Sequence, residues 1–203
     1  MKSIFQMLGP SGLIFIGVIL SAIGAFWASK QTANFEHELR RKSDEISELN
    51  KEIMKSVIGG DSFCYLTMSS IDNQNNVGLL TIVHQGEHPI YDVNARIVDL
   101  QKMDKIKDSL SFQTIMQADT HLHIGNMIKG TASSFAPFQL GAGMEGDFNI
   151  FFSARNGLFV QLLRMKKINN KWISATKVER DGKIIFEKID KDFPMNDEGK
   201  INW

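Results

Sequence analysis

Three successive patterns of hydrophobic and polar residues divide the chain. Residues 3–29 contain no charged side chain. Residues 30–58 place single apolar residues at regular intervals among many charges. From residue 59 onward, short runs rich in β-branched and aromatic residues alternate with turn-forming residues. These patterns predict a transmembrane anchor over residues 1–29, a charged helical stalk over residues 30–58 and a β domain over residues 59–203.

The uncharged segment is long enough to cross a lipid bilayer. A helix needs about 20 mostly apolar residues to span the hydrocarbon layer, and residues 7–28 supply that length. The alternative is a cleavable signal peptide, with Lys2 as its basic start and a candidate cleavage site at residues 21–24. We favour the anchor because the apolar run is long for a signal peptide and leads directly into another helix.

The stalk has the heptad pattern of a coiled coil. With Leu39, Ile46 and Ile53 at position a, Leu49 falls at position d, while Lys42 interrupts another d position. The same register continues into the uncharged segment, where small residues that allow close helix approach occupy the seam. We therefore expect a homo-oligomer, with a parallel dimer favoured. The predicted oligomerisation residues are Ser21, Ala25, Ala28, Leu39, Ile46, Leu49 and Ile53. The alternative is an unpaired spacer whose apolar stripe docks on the following domain.

The C-terminal region is predicted to form nine short strands. They cover residues 62–69, 77–84, 90–99, 122–124, 132–140, 147–154, 158–168, 172–179 and 183–189. Turn signals at residues 156–157, 169–170 and 181–182 join the last four strands into an antiparallel meander, and the first and third are favoured type I′ pairs. Residues 100–120 are irregular except for a short helix at 111–116. The spacing of the strands predicts a mainly β fold, an antiparallel β-sandwich of Ig-like type.

Composition and charge narrow the range of functions. The chain carries 23 basic and 23 acidic residues, and 43 % of its residues are hydrophobic, which argues against a disordered chain. The β domain alone has 16 basic and 17 acidic residues, so we expect no binding to nucleic acid. Its basic cluster at residues 164–167 is interpreted as the solvated end of a strand. One cysteine excludes an intramolecular disulfide framework.

Candidate catalytic chemistry is sparse. His121 and His123 would point to one face of a strand and are weak candidates for metal ligands, which His84 or His88 would have to complete. The alternative for this pair is a polar edge strand that faces solvent. Cys64 is expected in the core or on the sheet surface, because cysteine is among the most buried residue types. We predict no catalytic residue, no resident metal and no cofactor.

One segment resembles a known group of proteins. Residues 59–65, Gly-Gly-Asp-Ser-Phe-Cys-Tyr, follow a membrane helix and a charged stalk. In this context they resemble a group of uncharacterised bacterial single-span membrane proteins, and residues 91–93 and 149–157 fit the same resemblance. The resemblance implies a bacterial membrane protein with a C-terminal β domain, and it implies no activity.

These observations favour a non-enzymatic function. We expect a membrane-anchored, self-associating binding or scaffold protein whose partners are the lipid bilayer, a second copy and an unknown protein or ligand. A membrane-tethered metal-dependent hydrolase that uses His121 and His123 is one alternative. A secreted β-sandwich protein released by signal cleavage is another.

The expected location is the bacterial plasma (inner) membrane, crossed once. Lys2 precedes the uncharged segment, and a larger group of basic residues follows it: Lys30, Arg40, Arg41 and Lys42. Because cytoplasmic flanks carry an excess of Lys and Arg, this distribution favours the cytoplasm for the β domain, although Glu36 and Glu38 offset part of the positive charge.

Overall fold

A computed structural model describes residues 10–109, 111–140 and 143–203 of the chain. It divides into two compact units, with the boundary between Ile53 and Met54. The first nine residues of the predicted anchor, which include Lys2, lie outside the described residues.

A single long helix, α1 (Pro10–Ile58, 49 residues), covers the described anchor and the stalk. Pro10 occupies its first position, where the missing N–H costs no helical hydrogen bond. The helix contains one stretch that is long and apolar enough to cross a membrane, a criterion that a signal sequence would also meet. It ends at Ile58. The next residue, Gly59, has a positive φ of 101°, which suits glycine, and its N–H donates to the Lys55 carbonyl at 2.9 Å.

The described part of the β domain contains nine strands. They are β1 (Phe63–Asp72), β2 (Val77–Gln85), β3 (Ile90–Asp99), β4 (Asp119–Met127), β5 (Ala132–Gln139), β6 (Glu145–Ala154), β7 (Gly157–Ile168), β8 (Lys171–Arg180) and β9 (Lys183–Ile189). A three-stranded sheet has the order β1-β2-β5, and a six-stranded sheet has the order β4-β3-β6-β7-β8-β9. All neighbouring strands are antiparallel. The predicted mainly β fold and the four-strand meander are therefore confirmed.

One hydrophobic core is shared by the two sheets. Leu66 and Ile82 enter it from the three-stranded sheet, while Phe148, Phe152 and Phe159 enter it from the six-stranded sheet. The Phe152 and Phe159 rings stack with their centroids 4.8 Å apart, which favours tight packing between adjacent strands. A shared core between two antiparallel sheets fits the predicted β-sandwich.

A buried glutamine connects the sheets through hydrogen bonds. Gln161 on β7 is fully buried, and its Oε1 accepts a hydrogen bond from the N–H of Leu66 on β1 at 2.7 Å. Its Nε2 donates to the carbonyl of Leu66, also at 2.7 Å. Because these backbone groups do not serve the ladder with β2, the Gln161 amide occupies the open edge of β1.

The turns of the meander follow local sequence in two of three cases. Both central residues have positive φ in the turns at Asn169–Asn170 (48° and 61°) and at Asp181–Gly182 (51° and 73°), as a type I′ turn requires. The expected type I′ pair at residues 156–157 is wrong. Ala154 pairs with Gly157, so the turn is centred one residue earlier, and its left-handed residue is Gly157 at φ 115°.

The segment between β3 and β4 is more helical than expected. It contains α2 (Leu100–Ile106), a 3-10 turn (Lys107–Ser109) and α3 (Phe112–Ala118). The short helix predicted at 111–116 is α3, whereas α2 was missed. Asp99 caps α2, since its side chain accepts hydrogen bonds from the backbone N–H groups of Gln101 and Lys102.

The basic cluster at residues 164–167 is not the solvated strand end that was expected. Arg164 and Met165 are buried. The Arg164 guanidinium donates to the carbonyls of Phe148 and Leu163 and to the side chain of Asn149. Strand β7 runs through this cluster to Ile168. The buried positive charge of Arg164 is tolerated because carbonyl oxygens of the domain accept its hydrogen bonds.

Residues 59–62, here called the junction loop, join the last turn of α1 to β1. Asn156 donates through Nδ2 to the carbonyls of Gly60 (2.9 Å) and Ser62 (2.7 Å). Arg180 also donates to the Ser62 carbonyl at 2.9 Å, and the His88 N–H donates to Ser62 Oγ at 2.9 Å. Two turns of the β domain and the last residue of β8 thus fix the junction loop.

Candidate functional site

The predicted oligomerisation residues lie on α1 and are exposed in the single chain. The larger side chains of this seam, Leu39, Ile46, Leu49 and Ile53, are 52–58 % exposed. Their heptad spacing places them on one face of the helix, in line with Ser21, Ala25 and Ala28. Pairing through this face stays a prediction.

The two candidate histidines lie on β4, which forms one edge of the six-stranded sheet. His121 and His123 are both exposed, while Leu122 between them packs against the core. The prediction that the two imidazoles share one face is therefore confirmed.

The structure does not add a further histidine to this pair. His84 on β2 is buried, its Nδ1 accepts a hydrogen bond from the Gly130 N–H at 3.3 Å, and its Nε2 donates to the His88 carbonyl at 2.8 Å. Within the described residues, no three His, Cys, Asp or Glu side chains group closely enough to hold a metal ion. The geometry gives no support to the hydrolase alternative.

The two histidines instead belong to a larger polar array, which we call the outer-face cluster. In one row across the sheet, Arg96 lies opposite His121 on one side and opposite Phe151 on the other. In the next row, Asn94 lies opposite His123 and Ser153. The cluster consists of Asn94, Arg96, His121, His123, Phe151 and Ser153, which line a depression of about 340 Å³.

Arg96 is held at the centre of this cluster by an aromatic ring and a buried carboxylate. Its guanidinium carbon lies 4.8 Å from the centroid of the Phe151 ring, within cation–π range. Its Nε lies 3.4 Å from Oδ2 of Asp119, whose side chain is only 2 % exposed. No backbone or side-chain group that the structure describes accepts a hydrogen bond from Nη1 or Nη2 of Arg96.

The hydrogen-bonding state of His123 follows from its neighbours. Asn94 donates through Nδ2 to the Asp92 carbonyl at 3.0 Å, so its Oδ1 faces His123. That oxygen lies 2.7 Å from Nδ1 of His123 and can only accept, which assigns the proton to Nδ1. The Nε2 of His123 is therefore left as an acceptor in the neutral ring.

The sequence alone missed Arg96 and Phe151. Strand alternation within β3 and β6 predicts which residues face away from the core. However, no local signal shows that β3 lies between β4 and β6, and this placement brings the cluster together.

A second depression, of about 430 Å³, lies between the outer face of β6 and β7 and the C-terminal segment around Phe193 and Trp203. Burial raises the pKa of the Asp147 carboxyl in its wall, and burial lowers the pKa of the neighbouring Arg164 guanidinium. Charged side chains in this depression form ion pairs with one another, as Lys166 does with Glu145 at 2.8 Å. This depression therefore offers fewer open donors than the outer-face cluster.

Cys64 has the environment of a structural residue. It is fully buried, and burial raises the pKa of its thiol far above the ordinary range, an effect that the positive charge of Arg180 only partly offsets. Because the thiolate is the reactive form of cysteine, this side chain is inert in the folded domain.

Comparisons of the chain with protein-family models, with curated proteins and with solved structures found no match.

Proposed function

We propose that this protein is a single-pass membrane protein that self-associates through α1 and presents its β domain to a partner without catalysing a reaction. The observation that carries the proposal is the exposed seam of α1. Seven small or apolar residues occupy one helix face from the candidate membrane span to the stalk. Pairing through this face would remove the apolar side chains of its stalk part from water.

The charges beside the seam favour a second copy in parallel orientation. Glu38, Glu45 and Glu52 occupy the g positions of the heptads. In an antiparallel pair, g positions face one another, so glutamates would repel. In a parallel pair, each g position faces the e position five residues later in the partner. Ser43 and Asn50 occupy two of these e positions, so the glutamates meet neutral side chains.

The Lys42 side chain weakens this seam without reversing the argument. It occupies a d position, where a polar residue lowers stability but can fix register. Its Nζ lies 3.0 Å from Glu45 of the same helix. Because Glu45 is at a g position, this ion pair places the Lys42 ammonium group at the edge of the interface and not at its centre. Parallel pairing also suits two copies of the chain that cross one membrane in the same direction.

We further propose a bacterial plasma membrane as the location and the cytoplasm as the side of the β domain. The resemblance carried by residues 59–65 supports the first proposal. The basic residues that follow the span, including Lys30, support the second through the positive-inside tendency.

The order of the strands supports an Ig-like type for the β domain. Numbered along the chain, a constant-type immunoglobulin domain has sheets of order 1-2-5-4 and 3-6-7. The first seven strands here have the orders 1-2-5 and 4-3-6-7. Only the fourth strand differs in its sheet, and β8 and β9 extend the second sheet. An experimental structure in which β3 does not pair with β6 would contradict this assignment.

Cysteine crosslinking in membranes tests self-association. We expect Ile46→Cys and Ile53→Cys to form disulfide-linked dimers under mild oxidation, because a positions face each other across a parallel pair. Asp44→Cys and Lys51→Cys, on the opposite helix face, are the matched controls and are expected to yield at least about tenfold less dimer. The native Cys64 can remain because it is buried.

Equal crosslinking at positions 44 and 46, or a monomer in every variant at native expression, would reject self-association through this seam. The same Asp44→Cys variant reports the side of the membrane. A membrane-impermeant maleimide added to intact cells is expected not to label it, and strong labelling would place the stalk outside the cytoplasm.

A further inference from the structure

We propose that the outer-face cluster binds a small ligand that carries an oxyanion, either a carboxylate or a phosphate group. The oxyanion would bind the Nη1 and Nη2 edge of Arg96, and a hydroxyl or amine of the same ligand would donate to Nε2 of His123. This inference rests on the proposal that the β domain is a binding domain, and it does not depend on self-association.

The arrangement of Arg96 is that of a prepared anion-binding group. The Phe151 ring lies against the guanidinium, and the buried Asp119 carboxylate pairs with Nε, so two contacts restrain the side chain before a ligand arrives. A guanidinium presents its donors as a planar fork that matches carboxylate and phosphate oxygens. The fork of Arg96 has no acceptor among the groups that the structure describes, and its side chain is 46 % exposed, so a ligand can reach it.

Arg155 provides a comparison within the same domain. Its guanidinium carbon also lies over an aromatic ring, 5.0 Å from the centroid of Tyr91, and its side chain is 47 % exposed. However, its Nε and Nη2 both donate to Oδ2 of Asp92, at 3.1 Å and 2.8 Å. The two arginines share an aromatic contact and an exposure, but only Arg96 keeps both terminal nitrogens for a ligand.

His123 supplies the second point of recognition. Asn94 fixes the ring with Nδ1 as donor, which leaves Nε2 to accept from the ligand. His123 is the diagonal neighbour of Arg96 across the strands, and diagonal side chains start about 7–8 Å apart. A ligand whose oxyanion and hydroxyl are separated by a few bonds can therefore reach both groups. The depression of about 340 Å³ suits a ligand of this small size.

Nuclear magnetic resonance of the histidine side chains tests the proposal on the full chain in detergent micelles. The probes are L-malate, which carries carboxylates and a hydroxyl, and glycerol 3-phosphate, which carries a phosphate and hydroxyls, at constant ionic strength. We expect saturable shifts of the His121 and His123 ring signals with at least one probe. His37 on α1 is the internal control and is expected not to shift.

Substitutions separate specific binding from general charge attraction. Arg96→Gln is expected to weaken binding at least about tenfold, because a charge-assisted hydrogen bond of the ligand is lost. Arg155→Gln, the matched control, is expected to bind as the wild type does. Since Arg96→Gln leaves Asp119 buried without a cation, Arg96→Lys serves as a second variant that keeps the positive charge but lacks the planar fork, and it too is expected to bind more weakly.

Each outcome bears on the proposal. Saturation by malate alone assigns a carboxylate ligand, and saturation by glycerol 3-phosphate alone assigns a phosphate ligand. Shifts that never saturate with either probe, or an equal loss of binding in Arg155→Gln, would overturn the proposal. Zinc ions that saturate the two histidines in Arg96→Gln, with no binding of either organic probe to the wild type, would replace it with a metal site. Failure here would leave the crosslinking result for α1 unchanged.

Discussion

Replacing Gln161 with alanine is expected to lower the free energy of unfolding of the β domain by about 3–5 kcal/mol. The substitution removes both hydrogen bonds to Leu66, so one buried N–H and one buried carbonyl lose their partners. Each unpaired buried group costs about 1–3 kcal/mol, and the missing side chain also leaves a cavity in the core. Chemical denaturation followed by fluorescence of the buried Trp172 measures the effect.

The matched control for this change is Gln85→Ala, at the exposed end of β2. It removes the same side chain from a strand without unpairing buried groups, so we expect a change within about 0.5 kcal/mol. Similar losses of stability in the two variants would show that the hydrogen bonds between Gln161 and Leu66 do not connect the sheets in solution.

Replacing Gly86 with alanine is expected to destabilise the β domain by about 3 kcal/mol, through backbone strain and steric overlap. Gly86 has a φ of 121°, and a Cβ there would lie 2.5 Å from Ser62 Oγ and 2.7 Å from Ser62 Cα. The overlap pushes on the junction loop, where Ser62 Oγ accepts a hydrogen bond from the His88 N–H. Thermal and chemical unfolding of the full chain measure the loss.

Gly125→Ala separates the two causes. Gly125 also has a positive φ, 80°, but a Cβ there meets nothing within 4 Å. We therefore expect this control to lose only the strain, about 1 kcal/mol. If Gly86→Ala lowers the free energy of unfolding no more than Gly125→Ala does, the junction loop can move away from the new methyl group with little loss. The loop would then not be as rigid as its hydrogen bonds indicate.

Local chemistry in the sequence accounts for much of the fold. All nine predicted strands are present with ends within three residues of the expected positions. The turns at Asn169–Asn170 and Asp181–Gly182 adopt the predicted geometry, because these residue types accept positive φ with little strain. Each of these features depends on neighbours in the chain, which is why sequence alone was sufficient for them.

The features that sequence missed depend on residues far apart in the chain. Gln161 meets Leu66 across 95 positions. Asn156 still lies in the turn between β6 and β7, but its side chain donates to two carbonyls of the junction loop. The burial of Arg164 depends on carbonyl acceptors of the neighbouring strand. The outer-face cluster likewise needs β3 to lie between β4 and β6, a pairing that no local pattern specifies.

The position of the Gln161 amide has a consequence for two β domains that share one tether. Self-association of α1 would hold the domains at an effective concentration of about millimolar, at which open strand edges join neighbouring chains. Because Gln161 already occupies the N–H and carbonyl of Leu66, these two backbone groups of β1 are not available to a second domain. In such a pair, the amide would disfavour strand pairing between the two domains at Leu66.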